Sequence, residues 1–418
     1  MGENKSKIMW SFLLGSILIF FLTPMMAIYA GVGLICSPKK WRKYLPFCIL
    51  PIGIIAYCYN PLTSADLVRY IAMVEQCRDL TVYETFRYFD DGLVVKNIIF
   101  WALSKLDDPH FLPALSSATV YGIAGYITCD TADIWHCERY IPLVLVCQSF
   151  LLPFFTITSN VRNVCAFSLI ILAVYLDTEK KKRNILVLAL YIGPCFIHTS
   201  AWILVVLRML VFLIKRFKSW VLFSVFFLPV ITNIMYQFRG RVLTRSTTIN
   251  TIINQSIIKA YWYLNGADSN EFVRLISSSG YEKTNRIVIF LLTISFVVLI
   301  MQVTNEEKEH TQLITYMFMI CVVTLAFFSF KFPHYWRFAA AYAILVGAVL
   351  FPVLSKWSVQ GSRVRCLIYL IALLAPIEQA LQIWYSHYSV NYFELVGDVL
   401  LNNVYVLIIK VFIGLLNI

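Results

Sequence analysis

The chain has 418 residues, of which 60% are hydrophobic and 14% charged, and its formal net charge is +12. This composition excludes an ordinary globular core and indicates a polytopic membrane protein. The excess of Lys and Arg fits loops on the inner side of a membrane, so it does not predict nucleic acid as a partner. Eleven cysteines without CxxC pairs or nearby histidine ligands predict neither a zinc site nor a disulfide framework.

Apolar segments separated by basic clusters predict an all-α membrane protein with roughly 12 transmembrane helices in a single domain, residues 1–418. The segment from Met9 to Cys36 is too long for a signal-peptide core, so we interpret it as a true span. The basic run at 37–43 outweighs the two lysines before this span, which predicts an outer N-terminus. A second basic cluster at 180–183 also faces inward, so the number of crossings between the two clusters must be even.

Five apolar segments occur between these clusters, and one of them therefore does not span. They are residues 44–59, 93–106, 111–128, 140–158 and 164–177. The weakest is 93–106, where Lys96, Asn97 and Lys105 interrupt about 14 residues, a length of roughly 21 Å that is too short for a bilayer core. We expect a half-depth or interfacial helix there, within an external segment covering residues 60–110.

Residues 185–214 form an apolar stretch between the basic clusters at 180–183 and 215–218, so both of its ends should face inward. A chain that leaves and returns to one side must turn, and Gly193-Pro194 marks the turn. Each arm has about 15 residues, roughly 22 Å, which is shorter than a bilayer core of about 30 Å. We predict a re-entrant helix pair with His198 at its tip, lining a cavity or buried in protein.

The second half of the chain is predicted to alternate between spans and short turns. Its longest polar stretch, residues 237–285, is rich in Lys, Arg and aromatic residues, which favours a large external loop folded as a partly helical lid. The predicted spans in this half cover residues 220–236, 286–303, 311–330, 338–354, 366–385 and 400–416.

On this topology the unusual basic residues gather at the outer ends of helices. They are Arg69, Arg162, His198, His334 and Arg337, together with the loop arginines Arg239, Arg241 and Arg245. Charged groups at membrane depth cost about 2.5–3.5 kcal/mol, so they tend to mark functional sites. Several on one face predict a polyanion site, most naturally for a lipid pyrophosphate, because the planar guanidinium binds phosphate oxygens bidentately.

His198 is the candidate general base, because an ordinary histidine pKa of about 6.5 lets the ring accept a hydroxyl proton at neutral pH. The alternative is an interfacial histidine bound to a backbone carbonyl near Pro194. Asp66 and Tyr70 lie one helical turn apart and form either part of the site or a surface pair. The pair Asp90-Asp91 could equally cap the 93–106 helix.

Motifs that follow one another along the chain resemble the EpsG-type branch of the Wzy-like bacterial polysaccharide polymerases. Asp66-Leu67-Val68-Arg69-Tyr70 is similar to an external D-Y-x-x-Y motif, with Leu67 at the first tyrosine. Asp91-Gly92 and Asp107-Asp108-Pro109 resemble the acidic start and end of the short helix of that family. Val161-Arg162-Asn163 looks like the I-R-Q opening of a span, with Asn in place of Gln, and Ile197-His198-Thr199-Ser200-Ala201 looks like F-H-x-S-A. Arg337 corresponds to a late external arginine.

This resemblance implies a GT-C-like glycosyltransferase architecture and glycosyl transfer at the outer face of the bacterial cytoplasmic (inner) membrane. A glycan on undecaprenyl pyrophosphate would move onto a fresh lipid-linked repeat unit, extending O-antigen or capsule. His198 and Asp66 would be catalytic, and the other residues named above, Tyr70 included, would bind pyrophosphate and substrate. The implied partners are undecaprenyl-pyrophosphate-linked oligosaccharide, membrane lipid and a chain-length regulator, with no cofactor and no metal.

Two other classes of membrane protein stay open on the residues alone. A flippase for lipid-linked oligosaccharide would call for deep charges on both sides and usually two related halves, whereas the charges here favour one side. A membrane acyltransferase that modifies surface glycan would also use a histidine, but it would receive its acyl group from the inner face.

Overall fold

The computed structural model describes residues 41–62, 66–106, 108–214, 228–238, 280–306, 311–328, 335–357 and 360–386, with isolated positions 250, 254, 257, 258, 261, 395 and 409. The predicted spans 9–36 and 400–416 and most of the predicted lid, residues 237–285, lie outside the described residues. Everything below concerns the described part of the chain.

The described residues fold into helices joined by turns. In chain order these are α1 (Trp41–Tyr57), α2 (Asp66–Gln76), α3 (Val82–Phe89), α4 (Val94–Ser104), α5 (Phe111–Ile134), α6 (Ile141–Leu151), α7 (Phe154–Ser159), α8 (Val161–Thr178), α9 (Ile185–Ile192), α10 (Ala201–Ile214), α11 (Leu228–Gln237), α12 (Gly280–Glu306), α13 (Thr311–Phe327), α14 (Tyr335–Ile344), α15 (Val346–Ser355) and α16 (Ser362–Ser386). Short 3₁₀ turns cover Glu138–Tyr140 and Gly193–Phe196.

Three described helices are long and apolar enough to cross a membrane by length and composition: α8, α12 and α16. The bent pair α14 and α15 adds a fourth if it forms one span. With the apolar composition, these helices bear out a polytopic helical membrane protein. The number of spans and the GT-C-like arrangement stay predictions.

Two predicted spans are interrupted in the structure. The 140–158 segment divides at Leu152, whose backbone leaves the helical region (φ −116°, ψ 73°) because Pro153 disfavours helical geometry in the residue before it. The 338–354 segment bends by 48° between α14 and α15. At the start of α15, Gly347 brings the backbone close to α5, since an added Cβ would lie 3.2 Å from the Cα of Thr128.

Other helices begin or end where turns were expected. α5 continues to Ile134, beyond the predicted segment 111–128, because the buried Asp130 is neutralised by Arg42, at 3.1 Å, and by Lys180. α8 begins at Val161, before the predicted segment 164–177, so Arg162 and Asn163 belong to its first turn. α12 begins at Gly280, inside the expected lid.

The short α4 packs with α2 and α3 in the segment expected to be external. Its buried Lys96 pairs with Asp91 and lies 4.3 Å from the centroid of the Phe89 ring. Asp91 also accepts the backbone N–H of Leu93 at 3.0 Å, so it satisfies the start of α4 while neutralising Lys96. Asp90 instead ends α3 in the left-handed conformation, with φ 38°.

The turn before α5 is anchored by Asp108. Its carboxylate accepts hydrogen bonds from the backbone N–H of His110 at 2.8 Å, from the His110 ring at 2.9 Å and from the Tyr57 hydroxyl of α1. Burial raises the pKa of Asp108, but these bonds outweigh it and hold the pKa at about 2. The carboxylate therefore ties α1 to the start of α5 in its ionised form.

The helix pair α9 and α10 leaves and returns to the same end of α8. Asp177, near the C-terminus of α8, meets Tyr191 of α9 at 3.4 Å and Arg208 of α10 at 2.6 Å. Between these contacts the chain reaches the opposite end of α8, where His198 lies beside Asn163. The geometry of a turned helix pair with His198 at its tip is therefore present, and its depth in a membrane stays a prediction.

Candidate active site

Tyr70 and Arg162 form one half of the site. Tyr70 lies on the buried face of α2, where it is 4% exposed, and its hydroxyl accepts a hydrogen bond from Arg162 Nη2 at 3.1 Å. The guanidinium carbon of Arg162 also stands 4.4 Å from the centroid of the Tyr70 ring, a cation–π contact that fixes the plane of the guanidinium. Tyr70 therefore orients Arg162 without neutralising it.

Arg162 keeps unused hydrogen-bonding capacity. No acidic side chain of the described residues forms an ion pair with it, and within this part of the chain its buried Nε has no hydrogen-bond partner. A guanidinium held by a neutral phenol retains its charge and planar donors for an anionic ligand. Buried Lys96, paired with Asp91, lies within electrostatic range of Arg162, whereas the sequence interpretation treated it only as an interruption of a span.

Arg69 differs from Arg162 because it has a carboxylate partner. Its Nη2 lies 3.1 Å from Asp66 Oδ1, and the two side chains are 59% and 46% exposed. The same nitrogen lies 3.5 Å from the Tyr70 hydroxyl. Asp66 and Arg69 therefore stand at the rim of the site, with Tyr70 between them and Arg162.

Asn163 joins the other two candidate residues. Arg337 can only donate hydrogen bonds, so the amide orientation that satisfies both neighbours turns the Asn163 oxygen toward Arg337, 3.2 Å from Nη1 and 3.3 Å from Nε. The amide nitrogen then faces the His198 ring, 2.6 Å from Nε2 and 2.8 Å from Nδ1. The buried Asn163 amide thus connects His198, the candidate base, to Arg337, a candidate residue for binding pyrophosphate.

Backbone and side-chain bonds hold His198 in place. Its backbone N–H donates to the Pro194 carbonyl at 3.1 Å, and its carbonyl accepts from the Ala201 N–H that begins α10. The Ser200 hydroxyl lies 2.7 Å from Nδ1 of the half-buried ring. The carbonyl near Pro194 therefore binds the backbone of His198, while the ring faces Ser200 and Asn163.

The structure brings together Tyr70, Arg162, His198 and Arg337 from four separate segments. His334, Arg239, Arg241 and Arg245 lie outside the described residues. Sequence reasoning missed Asn163 and Ser200 as functional partners, although both stand inside motifs that it quoted. Among the described residues no group of three His, Cys, Asp or Glu side chains could hold a metal ion.

A family model described as the EpsG family matches residues 42–396. The chain belongs to the EpsG family. The match spans every candidate residue from Asp66 to Arg337. EpsG is a family of Wzy-like polysaccharide polymerases, so this member has a polysaccharide polymerase-type function, implying a glycosyltransferase-like enzyme. No curated protein and no solved structure matches the chain.

A polymerase of this family would act on lipid-linked oligosaccharide and membrane lipid. One end of the bundle offers a proton acceptor, His198, beside the charged Arg162 and Arg337. A base next to guanidinium groups can remove a proton from a hydroxyl while stabilising an anionic leaving group.

Replacing Asn163 with leucine should lower the rate of glycan elongation by about 10- to 100-fold, since the apolar side chain leaves His198 and Arg337 without their bridge. Elongation by the purified protein measures this effect, and kcat should fall more than KM rises. Asn163→Gln, which restores the residue of the family motif, should recover part of the rate. Ser168→Ala, a buried change on the same helix, should leave the rate within about twofold. An equal loss of elongation rate in Asn163→Leu and Ser168→Ala would contradict the bridging role of Asn163.

Proposed function

We propose that this EpsG family member polymerises undecaprenyl-pyrophosphate-linked repeat units into O-antigen or capsular polysaccharide at the outer face of the bacterial cytoplasmic membrane. The observation that carries this proposal is the cluster of Tyr70, Arg162, Asn163, His198 and Arg337 at one end of the bundle. This cluster combines a base, which can deprotonate a sugar hydroxyl, with cations, which can stabilise a pyrophosphate leaving group.

The proposed reaction begins with proton transfer to His198. The proton comes from a sugar hydroxyl of the fresh repeat unit, which is the glycosyl acceptor. The oxygen of this hydroxyl attacks the anomeric carbon of the growing chain. The bond from that carbon to the pyrophosphate oxygen breaks, and its electron pair stays on the departing undecaprenyl pyrophosphate. Arg162 and Arg337 stabilise the charge that develops there. The neutral His198 ring, whose Nδ1 accepts a hydrogen bond from the Ser200 backbone N–H at 3.2 Å, offers an unprotonated nitrogen as the base.

The rim residues take a supporting part in this proposal. Asp66 acts through Arg69, which it holds at 3.1 Å, and Arg69 guides the pyrophosphate toward Arg162. Tyr70 fixes the plane of Arg162. His334, Arg239, Arg241 and Arg245 are proposed as further cationic contacts for the substrate, and a chain-length regulator as a partner.

The paired charges at the other end of α8 favour a polymerase over a flippase. A flippase needs polar groups available along a route from one side to the other. There, buried Asp130 is neutralised by Arg42 and Lys180, and Asp177 lies 2.6 Å from Arg208, so these charges serve as links between helices.

The test is elongation by the purified full-length protein in lipid vesicles, given lipid-linked repeat units from its native strain and no nucleotide sugars. We expect a glycan ladder on a gel and release of one undecaprenyl pyrophosphate for each linkage formed. Movement of the units across the bilayer without a ladder would indicate a flippase. In a parallel assay with an added activated acyl donor, transfer of acyl groups to an unchanged glycan would indicate an acyltransferase. Either result would overturn the proposal.

A further inference from the structure

A group of buried polar residues on α7 and α16, linked by hydrogen bonds, lies apart from the candidate active-site residues described above. Glu378 of α16 is 5% exposed, and its Oε1 accepts a hydrogen bond from Gln382 Nε2 at 2.9 Å. The Gln382 oxygen in turn accepts from the Thr156 hydroxyl of α7 at 2.9 Å. Carboxylates inside an apolar helix bundle are costly to bury, so they tend to have a functional role.

Further buried polar residues lie nearby on α12 and α14. Glu282 of α12 accepts a hydrogen bond from the buried Tyr335 hydroxyl at 2.8 Å, and Arg286 lies 3.8 Å from the Glu282 carboxylate. Glu378 is within electrostatic range of both Glu282 and Tyr335. The two buried acidic groups therefore lie within electrostatic range of each other, in one region between α7, α12, α14 and α16.

Two oxygens of this region lack partners in the described part of the chain. Glu378 Oε2 is buried and makes no hydrogen bond, and the same holds for Oδ1 of Asn285, which is 2% exposed on α12. Buried polar atoms in folded proteins are nearly always hydrogen-bonded, so each of these oxygens is suited to a ligand donor. They belong to separate helices that pack against each other.

The region lies at the end of the bundle that holds His198. Thr156 is on α7, directly before α8, whose first turn holds Arg162, and Tyr335 is two residues before Arg337 on α14. The buried polar groups therefore lie near the starts of the two helices that carry Arg162 and Arg337.

We propose that Glu378, together with Asn285, forms a subsite for sugar hydroxyl groups of the lipid-linked repeat unit. This inference rests on the proposed function and deepens it. Sugar hydroxyls can donate to each of the two unpartnered oxygens, whereas a phosphate group at neutral pH offers mainly acceptor oxygens. In this arrangement Arg162 and Arg337 bind the pyrophosphate, and the sugar rings extend toward Glu378. The acidic subsite selects for glycan, and the basic one selects for the lipid diphosphate.

The experiment compares two probes on the full-length protein in lipid nanodiscs: undecaprenyl pyrophosphate without sugar, and lipid-linked repeat units from the native strain. Glu378→Leu should bind the bare lipid like the unaltered protein but bind the sugar-carrying unit about tenfold more weakly, because it lacks the carboxylate. Glu378→Gln, which keeps an amide that can hydrogen-bond, should lose less than threefold. Thr315→Val removes a hydroxyl that has no partner in the described region, on α13 away from this cluster, and should change neither affinity.

The outcomes separate this proposal from the proposed function. Arg162→Ala should weaken the binding of both probes. If it weakens the binding of neither, the proposed function fails. If Arg162→Ala weakens both and Glu378→Leu weakens neither, the sugar subsite alone is overturned. If Glu378→Leu weakens both probes equally while Glu378→Gln weakens neither, the carboxyl supports the fold and the subsite is also overturned.

Discussion

Replacing His198 with asparagine should reduce glycan elongation by about 10²–10⁴-fold, the range that a positioned general base contributes. Asparagine preserves a polar side chain of similar size beside Asn163 and Ser200, so the packing of the turn should survive. What is lost is a group that accepts a proton at neutral pH. The measurement is the initial rate of elongation in vesicles, followed by release of undecaprenyl pyrophosphate.

The matched control is His136→Asn. His136 is an exposed histidine after α5, far from His198 on the other side of the bundle, and its left-handed backbone, with φ 50°, tolerates asparagine. Its elongation rate should stay within about twofold of the unaltered protein. A rate near normal for His198→Asn would remove the base from the mechanism. Binding of undecaprenyl pyrophosphate should be unchanged in both variants, which confines the expected effect to the chemical step.

Arg162→Ala should lower kcat by about 10²–10³-fold, because the guanidinium stabilises charge that develops on the leaving group. Arg162→Lys should recover little of this loss. Lysine keeps the charge but cannot present a planar pair of donors or stack in the same way 4.4 Å from the centroid of the Tyr70 ring. The rate of elongation measures the loss, and Arg162→Ala should also weaken the binding of bare undecaprenyl pyrophosphate.

The chain offers a close control in Arg139. Its guanidinium also donates to a neighbouring tyrosine hydroxyl, that of Tyr140, at 2.8 Å and lies 4.6 Å from that ring centroid. Arg139 follows α5 at the opposite end of the bundle, so Arg139→Ala removes the same kind of arginine–tyrosine pair away from the site. Comparable losses in Arg139→Ala and Arg162→Ala would mean that the pair serves the fold.

Local signals in the sequence were sufficient to predict most helix positions. The apolar stretch at 185–214 with Gly193-Pro194 in its middle predicted two short helices, and α9 and α10 lie on either side of that turn. Pro153 was an available signal for the break in the 140–158 segment, because proline restricts the residue before it. The 48° bend between α14 and α15 had no comparable signal, since it accompanies a close approach of Gly347 to α5.

The prediction of the candidate site was more uneven. Arg69 and Arg162 looked alike in the sequence as basic residues at helix ends. In the structure Arg69 pairs with Asp66, whereas Arg162 is held by the neutral Tyr70. Asn163 was recorded only as a substitution for glutamine in a motif, because an amide gives no sign in the sequence of the two side chains that it joins.

The sequence by itself determined that this is a helical membrane protein of the EpsG family, and it identified most of the basic residues that could meet a lipid diphosphate. Composition, hydropathy and short motifs carry that information locally, residue by residue. Only the tertiary structure decided which charges are neutralised and which stay available, and that Asn163 connects His198 to Arg337. Those relations depend on how helices distant in sequence pack against one another, and the chain order does not encode them in any local pattern.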